Sequence, residues 1–492
     1  MNLQSPPSSV RDHTPATLCG SELETPIPRQ PAVERAAGLN AVALDEKAMR
    51  RAIIYFVAPQ TAGAMLQLVS STITIVYFGQ LLGPSAVAVA SVFFPVFLLL
   101  VSVLIGLISS GGVVLVGRAY GARDIPQVKR VAGTTLCVCA LLSLAIAVLG
   151  YWLSPELLRI MQTPPDIQSA AVNYARVTFA SLPVLTMFFA YTYLLRGTGD
   201  SQTPFLAMAL SVAIALILTP ALIEGWLGLP TLGSASAPWA NLAACAISLP
   251  ILLIYLWARG HPLTLDRILI RRLWIDWKIA GAFLGIGLPA SVQLAMTSLS
   301  EVAVVSLVNG FGSSATAAYG AMNQIVGYVL APVQSVSVAA TVFAAQVIGA
   351  RQAGRIGMVT RTANVLSISI GLFAVGAVYL FAQDILSWFI TDPVTQSIAW
   401  RALLITLWSY VLVGVGNVLA GVMRATGDVI WPAVISIGAI WLVELPAAYL
   451  LSRRIGIDGL WIGYPAGFVT ALLAQWIYYE FVWRRRIQHT SP

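Results

Sequence analysis

Charge is the scarcest property of this sequence: Asp, Glu, Lys and Arg together make up 10% of its 492 residues. Soluble proteins carry about 25%. So little charge cannot cover a water-facing surface, which excludes a soluble enzyme. Cysteine is nearly absent. Of the four, Cys137, Cys139 and Cys245 fall in apolar runs, Cys19 lies in the N-terminal segment, and no CxxC pair occurs. Neither a disulfide framework nor a zinc site is expected. Histidine is limited to His13, His261 and His489, scattered in tails and a loop, which gives a metal site nothing to build on. Heptads are missing, glycine has no period and 27 prolines are spread along the chain, so a coiled coil, collagen and a disordered scaffold are excluded. No G-K-[ST] follows Gly111-Gly112 and no P-loop occurs, which argues against ATP hydrolysis by this chain alone.

What is present is apolar: 58% of the residues are hydrophobic and the mean hydropathy is +0.82. A spanning helix needs ~20 mostly apolar residues. Twelve such runs are predicted, over 52–78, 85–110, 131–153, 169–195, 204–226, 237–258, 279–308, 314–341, 362–383, 397–423, 430–451 and 459–483. Lipid offers the backbone no hydrogen-bond partners, so these runs are helices, and no β-barrel alternation appears. The expected fold is an all-α integral membrane protein with twelve transmembrane helices. Residues 1–50 are polar and rich in Pro and Ser, carry no signal-peptide pattern, and read as a disordered cytoplasmic tail. The net charge of +8 comes from basic loops between apolar runs, which points to a membrane rather than a nucleic acid. Every second loop is Arg-rich, whereas the opposite side holds only Arg159, Arg453 and Arg454. This bias places both termini in the cytoplasm and the chain in the cytoplasmic membrane.

The chain repeats itself. "LLRGTGDSQTP" (194–204) returns as "VMRATGDVIWP" (422–432), so Arg196, Gly199, Asp200 and Pro204 recur as Arg424, Gly427, Asp428 and Pro432 at an offset of 228. The same offset carries Gly121-Ala122-Arg123 onto Gly349-Ala350-Arg351 and Gln168-Ser169 onto Gln396-Ser397. The organisation this predicts is a 51–258 six-helix lobe, a cytoplasmic inter-lobe loop over 259–278, a second lobe over 279–485 and a short tail, 486–492. Two parallel, pseudo-symmetric bundles can rock around a central site, an alternating-access design.

An ionisable residue deep in lipid costs ~2.5–3.5 kcal/mol or more, so it is a functional candidate. Two acids qualify: Glu301 in the seventh run and Glu444 in the eleventh. Glu224 and Glu480 sit near helix ends, and Arg176 and Arg401 are the bases inside spans. Glu301, in "SLSEVAVVSL", is a candidate proton carrier; the structural alternative is a neutral glutamate bonded to Ser298 or Thr297. Glu444, in "WLVELPAAYL", has Pro446 nearby, which frees backbone groups that could hold it structurally. Candidate cavity residues are Gln67, Met65, Tyr191, Gln293, Met296, Tyr319, Asn323, Gln324, Asn417 and Tyr410, since methionines and aromatics suit flat organic cations. Packing alone explains many such residues. The repeated Arg196/Asp200 and Arg424/Asp428 pairs read as cytoplasmic loop staples, because Arg and Asp four apart can pair.

Together, the two repeats of six, R-x-x-G-D-x-x-x-P after the fourth and tenth runs, "YFGQLLG" (77–83), "GARD" (121–124) and "FGSSATAAYGAMNQI" (311–325) resemble the multidrug and toxic-compound extrusion (MATE) transporters over roughly residues 50–485. The resemblance implies two V-shaped lobes around a central cavity and proton- or sodium-driven export of organic, often cationic, compounds. It implies no cofactor beyond the transported ion. The partners it implies are small organic substrates and the bilayer, with no nucleic acid; one chain holds both lobes and can act as a monomer. The chain departs from the family at one point. Where many prokaryotic members carry first-lobe Asp residues, this sequence has Thr74 and Thr219. The offset takes Thr74 to within one residue of Glu301, and alignment of Pro220 on Pro446 takes Thr219 to within one of Glu444. The acid pair is therefore expected in the second lobe, in a proton antiporter rather than an enzyme. The alternatives are a sodium-coupled exporter and a flippase of a lipid-linked polar compound.

Overall fold

The structure, a computed structural model, describes residues 46–486 except 162, 229, 267–268, 270–273 and 390–391. The expected tails over 1–45 and 487–492, and Arg267, Arg271 and Arg272 of the 259–278 loop, lie outside the described residues. Among the described residues twelve helices are long and apolar enough to cross a membrane. They are α1 (Glu46–Leu82), α2 (Pro84–Gly106, continued by Leu107–Gly112 and Val113–Gly121), α3 (Ile125–Ile160), α4 (Pro165–Gly197), α5 (Gln202–Glu224) and α6 (Gly233–Ala258). The second half supplies α7 (Trp277–Asn309), α8 (Ser313–Gly349), α9 (Ile356–Phe389), α10 (Pro393–Ala425), α11 (Ile430–Ile455) and α12 (Ile457–Arg486). Several outrun the apolar windows because their caps lie in polar sequence. Asp124 accepts from the Gln127 N–H to start α3, Asp276 from Lys278 and Ile279 to start α7, and Asp392 from Thr395 to start α10. Pro84, Pro165 and Pro393 stand in the first turns of α2, α4 and α10, where a missing N–H costs nothing.

The sequence repeat is also a repeat of backbone conformation. Gly199 and Gly427 take φ of 91° and 93°, and Gly83 and Gly312 take 82° and 99°. Arg123 and Arg351, at 59° and 58°, are the non-glycine residues with positive φ among those described. An arginine in the left-handed region is strained, so the same strain at both members of a repeat pair marks one turn built twice.

The halves join at one end and part at the other. Near the Arg-rich loops, Val113 and Val114 of α2 share a buried core with Val336, Phe343 and Val347 of α8 and with Met49 and Phe56 of α1. Toward the opposite end the two central helices go separate ways. Val89 and Phe93 of α2 pack with Leu158, Phe179 and Leu182 of the first half. Ala315, Tyr319 and Met322 of α8 pack with Leu403, Tyr410 and Trp461 of the second. Helix α7 serves both halves. Its first turns bury Phe283 and Ile279 in the first half's core, and its later turns bury Val304 and Val308 in the second half's. Small residues allow that crossing: a Cβ on Gly287 would lie 2.9 Å from the Leu107 backbone, and one on Gly106 would lie 2.5 Å from Ser291.

Candidate functional site

Glu444 ends a π turn, Ala439–Glu444, within α11. A π turn inserts an extra residue and re-aims the side chains that follow, and such turns concentrate at functional sites. The residue is 5% exposed. It is held against α12 by glycines at every fourth position, Gly459, Gly463 and Gly467. A Cβ on Gly467 would stand 2.6 Å from the Glu444 Cβ and 2.9 Å from its Oε2, and one on Gly463 would stand 2.9 Å from the Glu444 carbonyl oxygen. The glycine face lets a carboxyl-bearing helix approach until the acid lies on bare backbone. Glu301, on the later turns of α7, is exposed.

The two carboxyls are within electrostatic reach of each other, and both act on Tyr319 and Tyr410. These tyrosines belong to an aromatic cluster. The hydroxyls of Tyr319 and Tyr464 are 3.1 Å apart, and Tyr319 also bonds to Asn323. The Tyr319 ring stacks on Trp461 with centroids 6.0 Å apart and planes 9° from parallel, and Phe468 meets Tyr410 at 5.1 Å and Tyr464 at 5.9 Å. Among the described residues neither carboxyl makes an ion pair or a hydrogen bond. Among the described residues Glu301 has no hydrogen bond to Ser298 or Thr297, and Thr297 donates instead to the Gln293 carbonyl at 3.0 Å. A buried Glu444 among aromatic rings, with no ion-pair partner for either carboxyl among the described residues, suits a site that a proton or an organic cation neutralises.

The other candidates divide. Asn323 and Gln67 are exposed, and Met65, Gln293 and Met296 are half-buried, with the Gln293 Oε1 unpartnered. Gln324 bridges the halves, donating to the Thr72 hydroxyl on α1 at 2.9 Å. Asn417 bonds Gln334 at 3.3 Å. Tyr319 and Tyr410 are buried, at 4% and 6% exposure, so they belong to the aromatic cluster rather than to an open wall. Tyr191 is buried in the first half's core, in a different cluster from Tyr319 and Tyr410. Arg176 lies 5.2 Å over the Tyr151 ring, and Arg401 pairs with Asp458 at 2.6 Å. Sequence reasoning missed Tyr464, Trp461 and Phe468, whose spacing marks only an apolar helix. Gly467 had a legible signal in the four-residue glycine spacing.

The loop staples also need correction. Among the described residues neither Arg196 nor Arg424 is within ion-pair distance of its aspartate. The left-handed glycine between them turns the chain, so Asp200 caps α5 instead. It accepts from the Gln202 and Thr203 N–H groups at 3.0 Å and from the Thr203 hydroxyl at 2.5 Å. Asp428 accepts from the Tyr478 hydroxyl at 2.6 Å. Arg196 points back along α4, 4.4 Å over the Tyr193 ring, with Nη2 3.3 Å from the Met208 sulfur.

Known proteins resemble both the whole chain and its repeat. The MatE family model matches twice, over residues 59–221 and 289–450. The Bacillus subtilis protein described as probable multidrug resistance protein YoeA is 43% identical over 438 residues, 89% of this chain and 94% of that one. A Shewanella oneidensis FAD transporter is 27% identical over 84% of this chain and 91% of its own length. Among solved structures, a point mutant of the Vibrio cholerae MATE transporter VcmN superposes with a TM-score of 0.82 at 21% identity, covering 89% of this chain and 98% of the other, which shows a shared fold. The doubled family match, the relative at 43% identity and the shared twelve-helix architecture make this chain a member of the MatE family of transporters.

Proposed function

We propose that this protein is a proton-coupled exporter of organic cations, with Glu301 and Glu444 as the coupling pair. One observation carries the reading: two acids on different spans lie within electrostatic reach of each other and of Tyr319 and Tyr410, with no ion-pair partner among the described residues. Two carboxylates that close are costly unless a positive charge joins them. A proton and a substrate cation then compete to supply it, and that competition is exchange. The opposite-facing state binds protons and releases the cation; the inward-facing state does the reverse. The positive-inside rule puts the Arg-rich end in the cytoplasm. The structure is closed at that end, so it corresponds to the outward-facing side of the cycle. Relatives described as multidrug resistance proteins support an organic substrate. Helix α7 supports coupling, because the span that carries Glu301 is also packed into the first half.

The test is dye-cation transport in proteoliposomes under separate proton and sodium gradients, for wild type and Glu301→Gln. Export driven by the proton gradient alone, and lost in the variant, is the expected result. Export driven by sodium would turn the site into a cation cage, with Glu301, Glu444 and the Tyr319 hydroxyl as oxygen ligands. Full activity in Glu301→Gln would overturn the coupling role.

A further inference from the structure

Two hydrogen bonds cross between the halves at the Arg-rich end, and they are images of each other. The Arg118 Nε on α2 donates to the Ala425 carbonyl at the end of α10, at 2.9 Å. The Gln346 Nε2 on α8 donates to the Gly197 carbonyl at the end of α4, at 3.3 Å. Arg118 and Gln346 are 228 apart, and so are Gly197 and Ala425, the offset of the sequence repeat. Each central helix therefore reaches across the seam and ties down the C-terminal end of a helix in the other half. Those carbonyls are the unpaired, partially negative end of a helix, where a donor is most favoured.

Backbone lies on backbone between the two ties. A Cβ on Gly121 would overlap the Gln346 carbonyl, and a Cβ on Gly349 would overlap the Arg118 carbonyl, again at the same offset. A Cβ on Gly117 would lie 3.0 Å from that of Ala345. The arms differ in chemistry. Arg118 brings a charge, and its Nη2 is buried without a hydrogen-bond partner, lying 3.2 Å from where a Cβ on Gly427 would stand. Gln346 is neutral. A buried N–H without a partner opposes the closed form, since opening returns it to water.

We infer that Arg118 and Gln346 are gating residues, a crossed latch that holds the Arg-rich end shut and must release for that end to open. The inference rests on the alternating-access reading of the fold but not on Glu301 or the coupling ion. Both arms must part together, because each ties the helix its counterpart's half contributes. The unequal arms make the charged one the arm that water helps to release.

The experiment reads opening at both ends. Val342 lies in the seam with 0% exposure, so Val342→Cys reports the Arg-rich end; Asn323→Cys, exposed beside Tyr319, reports the other. Each full-length chain is reconstituted in sealed vesicles and treated with an impermeant maleimide from either side, over the background of the four native cysteines. Arg118→Ala and Gln346→Ala should each raise Val342→Cys labelling about fivefold, the population shift of one net hydrogen bond. Labelling of Asn323→Cys from the opposite side should fall in the same variants. Gly349→Ala, which wedges the seam, should act in the same direction. Unchanged labelling in both single variants would overturn the latch. So would a rise at both ends, which would mark a loosened protein rather than a gate. Reciprocal labelling together with normal export by Glu301→Gln would keep the latch and remove the coupling proposal.

Discussion

The two halves share a repeat but not a chemistry. In the first half, within one residue of the places that correspond to the acids, stand two threonines whose hydroxyls are spent on their own helices. Thr74 donates to the Ser70 carbonyl at 2.9 Å and Thr219 to the Ala215 carbonyl at 2.7 Å. In the second half, Glu301 and Glu444 have no such local partner among the described residues; Tyr319 and Tyr410 lie within electrostatic reach of both, and Tyr464 of Glu444. On the proposed coupling, the first half is the frame against which the second half works. One copy of a duplicated bundle can lose its charge provided the other keeps it and a shared helix, here α7, still joins them.

The sharpest way to break the comparison is to remove charge from one half and polarity from the other. Glu301→Gln and Glu444→Gln should each lower gradient-driven export about 100-fold, the low end of what a positioned proton-transfer group contributes. Thr74→Ala and Thr219→Ala should change it less than about twofold, because each loses only a bond to its own helix. Initial rates in proteoliposomes check both, and equal losses in the two halves would erase the asymmetry. Gly467→Ala should cost about tenfold, because its Cβ displaces the Glu444 carboxyl at an overpacking cost of ~1–3 kcal/mol. A substrate competition curve shifted in proton concentration would separate displacement of the acid from simple loss of protein.

Tyr319→Phe should lower export about fivefold, the worth of one net hydrogen bond, with the Trp461 stack retained. The smallest effect lies in the inter-lobe loop. Burial pushes the His261 imidazole down to about 4, with Asp200 pulling weakly the other way, and its Nδ1 accepts from the Leu263 N–H at 3.2 Å. The folded state thus binds the proton less readily than the unfolded chain, whose imidazole titrates at about 6.5. Stability is complete above about pH 6.5 and falls as the pH drops from there toward 4. The detergent-solubilised protein should melt a few degrees lower at pH 5 than at pH 7.5, and His261→Asn should flatten that slope.

The helices and the acids were legible because each contradicts its surroundings in one dimension. Twelve apolar runs stand against Arg-rich loops, and Glu301 and Glu444 stand against apolar runs. The offset of 228 was legible for the same reason, and it reappears in the φ angles of Gly199 and Gly427. The aromatic cluster was not legible. Tyr464 and Trp461 resemble any membrane residues until α12 is laid against α8. The staple failed because spacing alone cannot say which way a side chain leaves a turn: Gly199 sends Asp200 forward onto α5 while Arg196 folds back over Tyr193. The helix ends were misjudged where an aspartate cap lies outside the apolar window, as at Asp124.

The glycines of the seam have a consequence for the cell's energy supply. A proton crosses a protein by hopping along a file of waters, and a file needs room and polar partners. Where Gly121 and Gly349 press backbone against backbone, no gap of that size exists. At those two contacts the Arg-rich end therefore leaves a water file no way through. On the proposed proton coupling, such contacts let a membrane hold many idle copies without short-circuiting the gradient.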